Sequence, residues 1–576
     1  MKACSTNLRL SKGVLDAHSQ CFSRHSAHAS LERCAFMTDF LSLILIFLMS
    51  GSLLAQAGEP RVSKVWNPDN GDGRYRNPIL YADYSDPDVI RVNDDFYLVA
   101  SSFDAVPGLP ILHSKDLIHW EIVAHALNRQ PPEVRYSSTQ HGNGVWAPAI
   151  RYHNGFFFIY YPDPDFGIYM TKSRSVTGPW SEPVLVKAAK GWIDPCPLWD
   201  DNGTAWLVNG LAGSRSGTNS AIVLSRMSAD GARILDSGAI IIDGHALDPT
   251  LEGPKIYKRH GYYYVSAPAG GVPSGWQVVF RSRNIYGPYE RRVVLAQGHT
   301  AINGPHQGGW VDTPSGEFWF IHFQDQGVYG RVTLLEPMHW KDDWPVIGVD
   351  QDAQGVGEPV SSFRKPRVVS GKGQYNLADS DEFPGTSLGP QWQWQANPGP
   401  TWAFPMPSAG TLRLFNIFNA DLQPNLWTTP NVLLQKFPSN RFTVTTKLAP
   451  HLTNVGDQTG LVVMGQSYSA VVLRNSAKGL VVLQTTRPHA ERGDQVEESA
   501  GIPVAAATVY LRAQVDSSAR VQFFYSIDGQ HFEAVGTTFQ AVQGVWIGAK
   551  IGLFATGIQE HGKVGYSDFD YFRFDR

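Results

Sequence analysis

Five times along the chain a short polar turn runs into a strongly aromatic stretch: DDFYLVASSF from 94, NGFFFIYYP from 154, NGTAWLVNG from 202, HGYYYVSAP from 260 and GEFWFIHFQD from 316. The starts lie about 50–60 residues apart, a period typical of repeat architectures. Aromatic and β-branched residues after a turn signal specify a strand. Each stretch is followed by a segment that reads strand, polar turn, strand, as in ILHSKDLIHWEIV and VVFRSRNIYGPYERRV. Each is preceded by a shorter one: SDPDVIRV, VWAPAIRY, IDPCPLWD, LEGPKIYK and NGPHQGGWV. The unit thus holds about four strands and occurs five times, which predicts an all-β chain with a five-bladed β-propeller over 74–350.

In a propeller the first strand of each blade lines the central channel. Beside a proline, the leading segments carry Asp86, Ala147 with Trp146, Asp194, Glu252 and His306, each seven to ten residues before the next aromatic segment. Equivalent blade positions converge on the axis, so three carboxylates, a Trp and a His share one pocket. An Asp-Pro at a strand start is by itself an ordinary turn, because Asp bonds its own downstream backbone. Recurrence in register on separate blades argues for more. Asp88 competes with Asp86, since residues i and i+2 face the same side of a strand. Two carboxylates across a sugar are the parts for glycoside hydrolysis, one protonating the leaving oxygen and one activating water. A third close by raises the pKa of the acid through like-charge repulsion. Spacing alone does not divide these roles among Asp86, Asp194 and Glu252.

Composition excludes other classes. Aromatics reach 12% and charged residues only 17%, which is neither a disordered chain nor a coiled coil. A net charge of −4 offers no basic field for nucleic acid. The apolar run Phe40–Leu54 is too short for a membrane span and ends in Ala55-Gln56-Ala57, a small-x-small pattern. Residues 1–57 therefore read as a leader with a secretory signal peptide, and the protein as secreted or periplasmic, with no transmembrane span in the mature chain. Cys4, Cys21 and Cys34 fall in the leader, which leaves Cys196 without a disulfide partner.

The motifs NPILYADYSDPDVIRV, SSFDAVPGLPILHSKDLIHW, WAPAIRYHNG, IDPCPLWDDNGTAWL, LEGPKIYKRHGYYYV, GPHQGG and GRVTLLEPMHW resemble, in order, those of glycoside hydrolase family 43 over about 75–365. The resemblance implies a five-bladed propeller that hydrolyses glycosides with inversion, as a β-xylosidase, α-L-arabinofuranosidase or arabinanase. It implies Asp86 as general base, Asp194 as pKa modulator and Glu252 as general acid. It likens His306 to an axial histidine that in some members helps hold a metal or water, and Arg331 to an arginine on the sugar hydroxyls. Phe103 and Trp146 look like hydrophobic walls around the non-reducing sugar. Read alone, His306 fits a satisfied core histidine, Arg331 a partner for Glu336, and Phe103 and Trp146 plain core. Inversion requires the Asp86 and Glu252 carboxyls about 6.5–9.5 Å apart.

A Gly-, Pro- and Ser-rich stretch over 351–375 reads as a linker. Residues 376–576 then show short alternating runs such as FTVTTKLAP, TGLVVMGQ and VQFFYSIDG, with Gly, Asn and Asp turns. This pattern predicts an antiparallel β-sandwich, and it resembles the lectin-like jelly-roll domain appended to many family 43 β-xylosidases. Its Trp392, Trp394 and Trp402 suit a sugar-binding surface. The resemblance favours instead a structural partner that lends a loop to the pocket rim. No cofactor is required. Asp381, Glu382 and Asp568 are hard oxygen ligands suited to a structural calcium, or else solvated charges at strand ends.

The expected partner is an oligo- or polysaccharide. The favoured function is an exo-acting inverting glycosidase that removes xylosyl or arabinofuranosyl residues from hemicellulose. Exo action is preferred because YSSTQHGNG (136–144) and the second domain can wall off one end of the cleft. An endo-arabinanase, a galactan-cleaving enzyme, a non-catalytic sugar-binding propeller and an interaction propeller remain alternatives, since a fold alone does not decide function.

Overall fold

The computed structural model describes residues 63–368, 376–560 and 563–576; the predicted leader lies outside them. Five four-stranded antiparallel sheets follow one another, each with its strands in chain order. Blade I comprises Asp88–Val92, Asp95–Val99, Gly108–Ser114 and Glu121–Leu127. Blade II runs from Ala149–His153 to Val184–Ala188, and blade III from Trp192–Trp199 to Ala239–Asp243. Blade IV runs from Lys255–Arg259 to Glu290–Leu295, and blade V from His306–Asp312 to Trp344–Ile347. The five aromatic stretches are the second strands, as the repeat predicts.

Local chemistry explains the blades. In blades II and IV a two-residue loop, Asn154-Gly155 or His260-Gly261, joins the first two strands, and both residues have positive φ. That is the tight turn whose twist matches paired strands. In blades I to IV the register shifts once between the third and fourth strands. Such bulges increase local twist, which turns the outer edge of each blade relative to its inner strand. Apolar clusters fill every gap between blades. Val99, Ile111, Ile150 and Ile159 join I to II, Phe158 and Leu207 join II to III, and Val208 and Val265 join III to IV. Tyr264 and Phe320 join IV to V, and Leu98 and Leu335 close the ring between I and V.

The ring is also tied by the two segments that flank the blades. Strand Arg74–Arg76 pairs with Ser362–Arg364, and Tyr75 donates through its hydroxyl to the Leu335 carbonyl at 2.6 Å. The predicted linker is therefore structured over its first part. Val349 pairs with Glu358, Gly357 bonds Val294 and Ala296, and the 362–364 strand follows. Gly, Pro and Ser there build turns on the propeller surface rather than a tether.

Residues from 393 onward form a seven-stranded and a nine-stranded sheet around one large apolar core, the predicted sandwich. Two readings of this domain are corrected. Trp392 and Trp394 are buried and Trp402 is half-buried against Trp394, so they are not an exposed sugar platform. Asp381, Glu382 and Asp568 do not converge on a cation. Glu382 forms a bidentate pair with Arg573 and Asp568 one with Arg413, while Asp381 accepts from the Phe383 N–H and the Trp392 indole.

Propeller and sandwich lie in one compact unit. Val106 and Trp394 exchange both backbone hydrogen bonds, at 3.0 and 2.6 Å. Asn397 and Gln130 exchange a second pair, at 2.7 and 2.9 Å. His141 stacks on Trp427 with ring centroids 3.6 Å apart.

Candidate active site

The entrances of the inner strands share an unusual backbone. Asp86 (φ +54°), Asp194 (φ +56°), Gly253 (φ +58°) and Gln307 (φ +35°) are all left-handed. Register shifts at Ile193/Cys196 and His306/Gly309 mark bulges in the leading strands of blades III and V. Non-glycine residues in that region cost energy and cluster at functional sites. Here the twist turns the side chains out of the ladder and toward the axis. Asp86, Asp194, Glu252, His306, Arg331, Phe103 and Trp146 all line one cavity of roughly 550 Å³, so the structure brings every sequence-predicted propeller residue together.

Asp86 precedes its strand, and Asp88 lies within it. The Asp88 side chain is fully buried and accepts from the Ile150 N–H at 2.9 Å and from Arg151 at 2.6 Å. It ties blade I to blade II and does not reach the cavity. Asp86 accepts from the Ser101 hydroxyl at 2.6 Å, the Ser85 hydroxyl at 3.1 Å and Arg331 Nη1 at 3.0 Å. Arg331 is itself held. Its N–H donates to Asp83 Oδ1 at 2.8 Å, and its guanidinium lies 4.9 Å from the Phe323 ring centroid. Glu336, the alternative partner, is taken by His322 at 3.1 Å.

Glu252 Oε1 sits 3.0 Å from His306 Nε2. His306 is buried, so it fixes the direction of a more exposed carboxyl. Asp194 accepts from the Gly253 N–H at 2.7 Å. Burial, and then the neighbouring Glu252 carboxylate, push the Asp194 carboxyl up to about 7, against the opposing pull of that N–H. The Asp194 carboxyl therefore retains a proton near neutral pH, while the hydrogen-bond partners of Asp86 are all donors. Such an arrangement can donate a proton from one side of a ligand and accept one on the other.

Trp546 was not predicted by number. It comes from the sandwich, between strands Glu533–Gln540 and Lys550–Gly557, and lines the same cavity. Its φ is +64°, it is 55% exposed, and its ring meets Trp146 edge-on at 6.4 Å. Asp83 links the two domains here, since its second oxygen accepts from the Gly548 N–H at 3.0 Å. Gly142, in the 136–144 loop, packs so closely that a Cβ there would lie 2.4 Å from Val545. The expectation that the second domain lends a loop to the rim thus has a residue.

A five-bladed propeller with paired carboxyls in its axial pocket defines the protein as a glycoside-cleaving enzyme. Residues 75–345 match the model for glycosyl hydrolases family 43, and residues 380–575 that for the β-xylosidase C-terminal concanavalin A-like domain. The chain belongs to family 43 and is a glycosidase. It is 39% identical to a putative β-xylosidase of Xylanibacter ruminicola, over 86% of this chain and 89% of that one. It is 31% identical to a β-xylosidase of Formosa agariphila, over 88% and 91%. Among solved structures, xylan β-1,4-xylosidase from Bacillus halodurans superposes with a TM-score of 0.77 at 25% identity, covering 87% of this chain and all of that one.

Proposed function

We propose that the chain is an exported, exo-acting, inverting pentosidase that removes xylosyl or arabinofuranosyl residues from the non-reducing ends of hemicellulose. The convergence of Asp86, Asp194 and Glu252 in one pocket carries this reading. Glu252, oriented by His306, protonates the glycosidic oxygen as the anomeric carbon–oxygen bond breaks. Asp86 takes a proton from the water that forms the new bond on the opposite face. Asp194 keeps a proton on the acid side of the pocket, and Arg331 steadies Asp86 while presenting its remaining N–H groups to the sugar.

The names of the relatives support the pentose. Exo action is supported by Trp146 and Trp546, which meet edge-on in the cavity lining, with Gly142 of the 136–144 loop packed behind them on Val545. Export is supported by the apolar run and small-x-small sequence near residue 57. The test is a panel of nitrophenyl β-xyloside, nitrophenyl α-L-arabinofuranoside and linear xylo-oligosaccharides. The account expects pentoside turnover and release of single sugars from the oligomers. No turnover of either aryl glycoside, together with tight binding to xylan, would make this a binding propeller.

A further inference from the structure

The inner strands begin at the catalytic pocket and end at the opposite mouth of the channel, where a second, open concavity lies. It is built from the C-terminal ends of the leading strands of blades II to V, which supply Tyr152, Trp199, Tyr257, Arg259 and Asp312, with Phe318 beside them. The two mouths are separated by a packed layer. Arg151 donates to Asp88 at 2.6 Å and to Cys196 Sγ at 2.8 Å, and lies 5.5 Å from the Tyr257 ring centroid. Gly309 fills the same layer, where a Cβ would lie 2.7 Å from Asp88. The two cavities therefore share no lining residue.

The chemistry of this mouth is specific. Tyr152 is 47% exposed. Trp199 is half-exposed with His153 stacked flat on it, centroids 4.6 Å apart and planes 7° apart. Beneath them Tyr257 stacks on the buried Trp310 at 4.1 Å, a floor to the concavity and not an exposed platform. The cations around these rings are already paired: Lys258 with Asp200 and Asp201, Arg259 with Asp343, and Arg91 with Asp312. An anionic ligand would need an uncompensated cation. Flat rings beside immobilised, charge-balanced donors and acceptors suit a neutral polyhydroxyl ring, whose C–H face stacks while its hydroxyls bond the rim.

We propose that this mouth is a second saccharide site that holds a stretch of pentosan while another chain end is cleaved in the catalytic pocket. The choice of pentosan rests on the function proposed above. Affinity electrophoresis of the full chain carrying Glu252→Gln tests it, in gels containing soluble arabinoxylan, with galactomannan as control. Arabinoxylan should retard the protein, and adding Tyr152→Ala should weaken that retardation about threefold to tenfold, the loss expected for one stacking ring. In the otherwise unaltered enzyme, Tyr152→Ala should leave aryl-pentoside kcat/KM unchanged. If pentosides are not turned over but the Tyr152-dependent retardation persists, the function reading falls and this site stands. The proposal is overturned if arabinoxylan does not retard the protein. It is also overturned if Tyr152→Ala and Tyr152→Ala/Phe318→Ala both leave retardation intact, or if Tyr152→Ala changes the sedimenting mass, which would mark a self-association face.

Discussion

A carboxyl buried beside another carboxyl keeps its proton to higher pH than it would in the unfolded chain. Asp194 is in that position, raised to about 7 by burial and by Glu252. A raised folded-state value means that the group stabilises the fold below its unfolded value and loses that contribution as pH climbs through the folded value. Asp194→Asn should therefore melt at a higher temperature than the parent at pH 8, with the difference shrinking toward pH 4. Calorimetry across that range checks it, and an equal or lower Tm at pH 8 would count against the buried charge. The same substitution removes one of two like charges, so the alkaline limb of kcat/KM should move to lower pH. Glu252→Ala should keep most activity on phenols of low pKa, whose departure needs little protonation. Equal loss across a leaving-group series would take the acid role away from Glu252. The sequence alone did not separate Asp86 from Asp88, because both fit one face of one strand. What separates them is backbone geometry: the left-handed turn at Asp86 and the Arg151 partner of Asp88.

At the scale of elements, the blades were legible because their period-2 patterning and turn residues repeat five times, and each blade can satisfy its hydrogen bonds within itself. Features that depend on a neighbouring element were harder to read. Trp392 and Trp394 suit an exposed surface in sequence, yet both are buried, and between and beside them Gln393 bonds the Pro107 carbonyl and Gln395 bonds two carbonyls of the sandwich. Glu382 and Asp568 looked free to bind a cation because their partners, Arg573 and Arg413, meet them only through folding. The Asp88–Arg151 pair makes the same point for blades I and II. Removing one partner of a buried ion pair strands the other, at a cost of about 3–5 kcal/mol. Arg151→Met should destabilise the fold by about that amount in denaturant unfolding. A loss within experimental error would show that the pair does not tie the blades.

The whole molecule adds what neither domain holds alone. The axial carboxylates belong to the propeller, but the pocket is completed by Trp546 from the sandwich. Asp83 binds both sides, through the Arg331 and Gly548 N–H groups. Nothing around Trp546 in AVQGVWIGAK points to a sugar pocket, since its place depends on how the two domains dock. Because Trp546 is largely exposed, Trp546→Ala should leave stability nearly unchanged while raising KM for aryl pentosides severalfold, on the order of the ~0.5–1.5 kcal/mol carried by one aromatic contact. Steady-state kinetics with a melting curve checks this, and an unchanged KM would remove the sandwich from the site. The central claim concerns the division of labour between Asp86 and Glu252. Proton NMR of fresh hydrolysate from a β-xyloside tests it most directly, by following the anomeric signals before mutarotation. Direct attack of water activated by Asp86 predicts that α-xylose appears first. Initial accumulation of β-xylose would mean a covalent intermediate and retention, and would contradict the account.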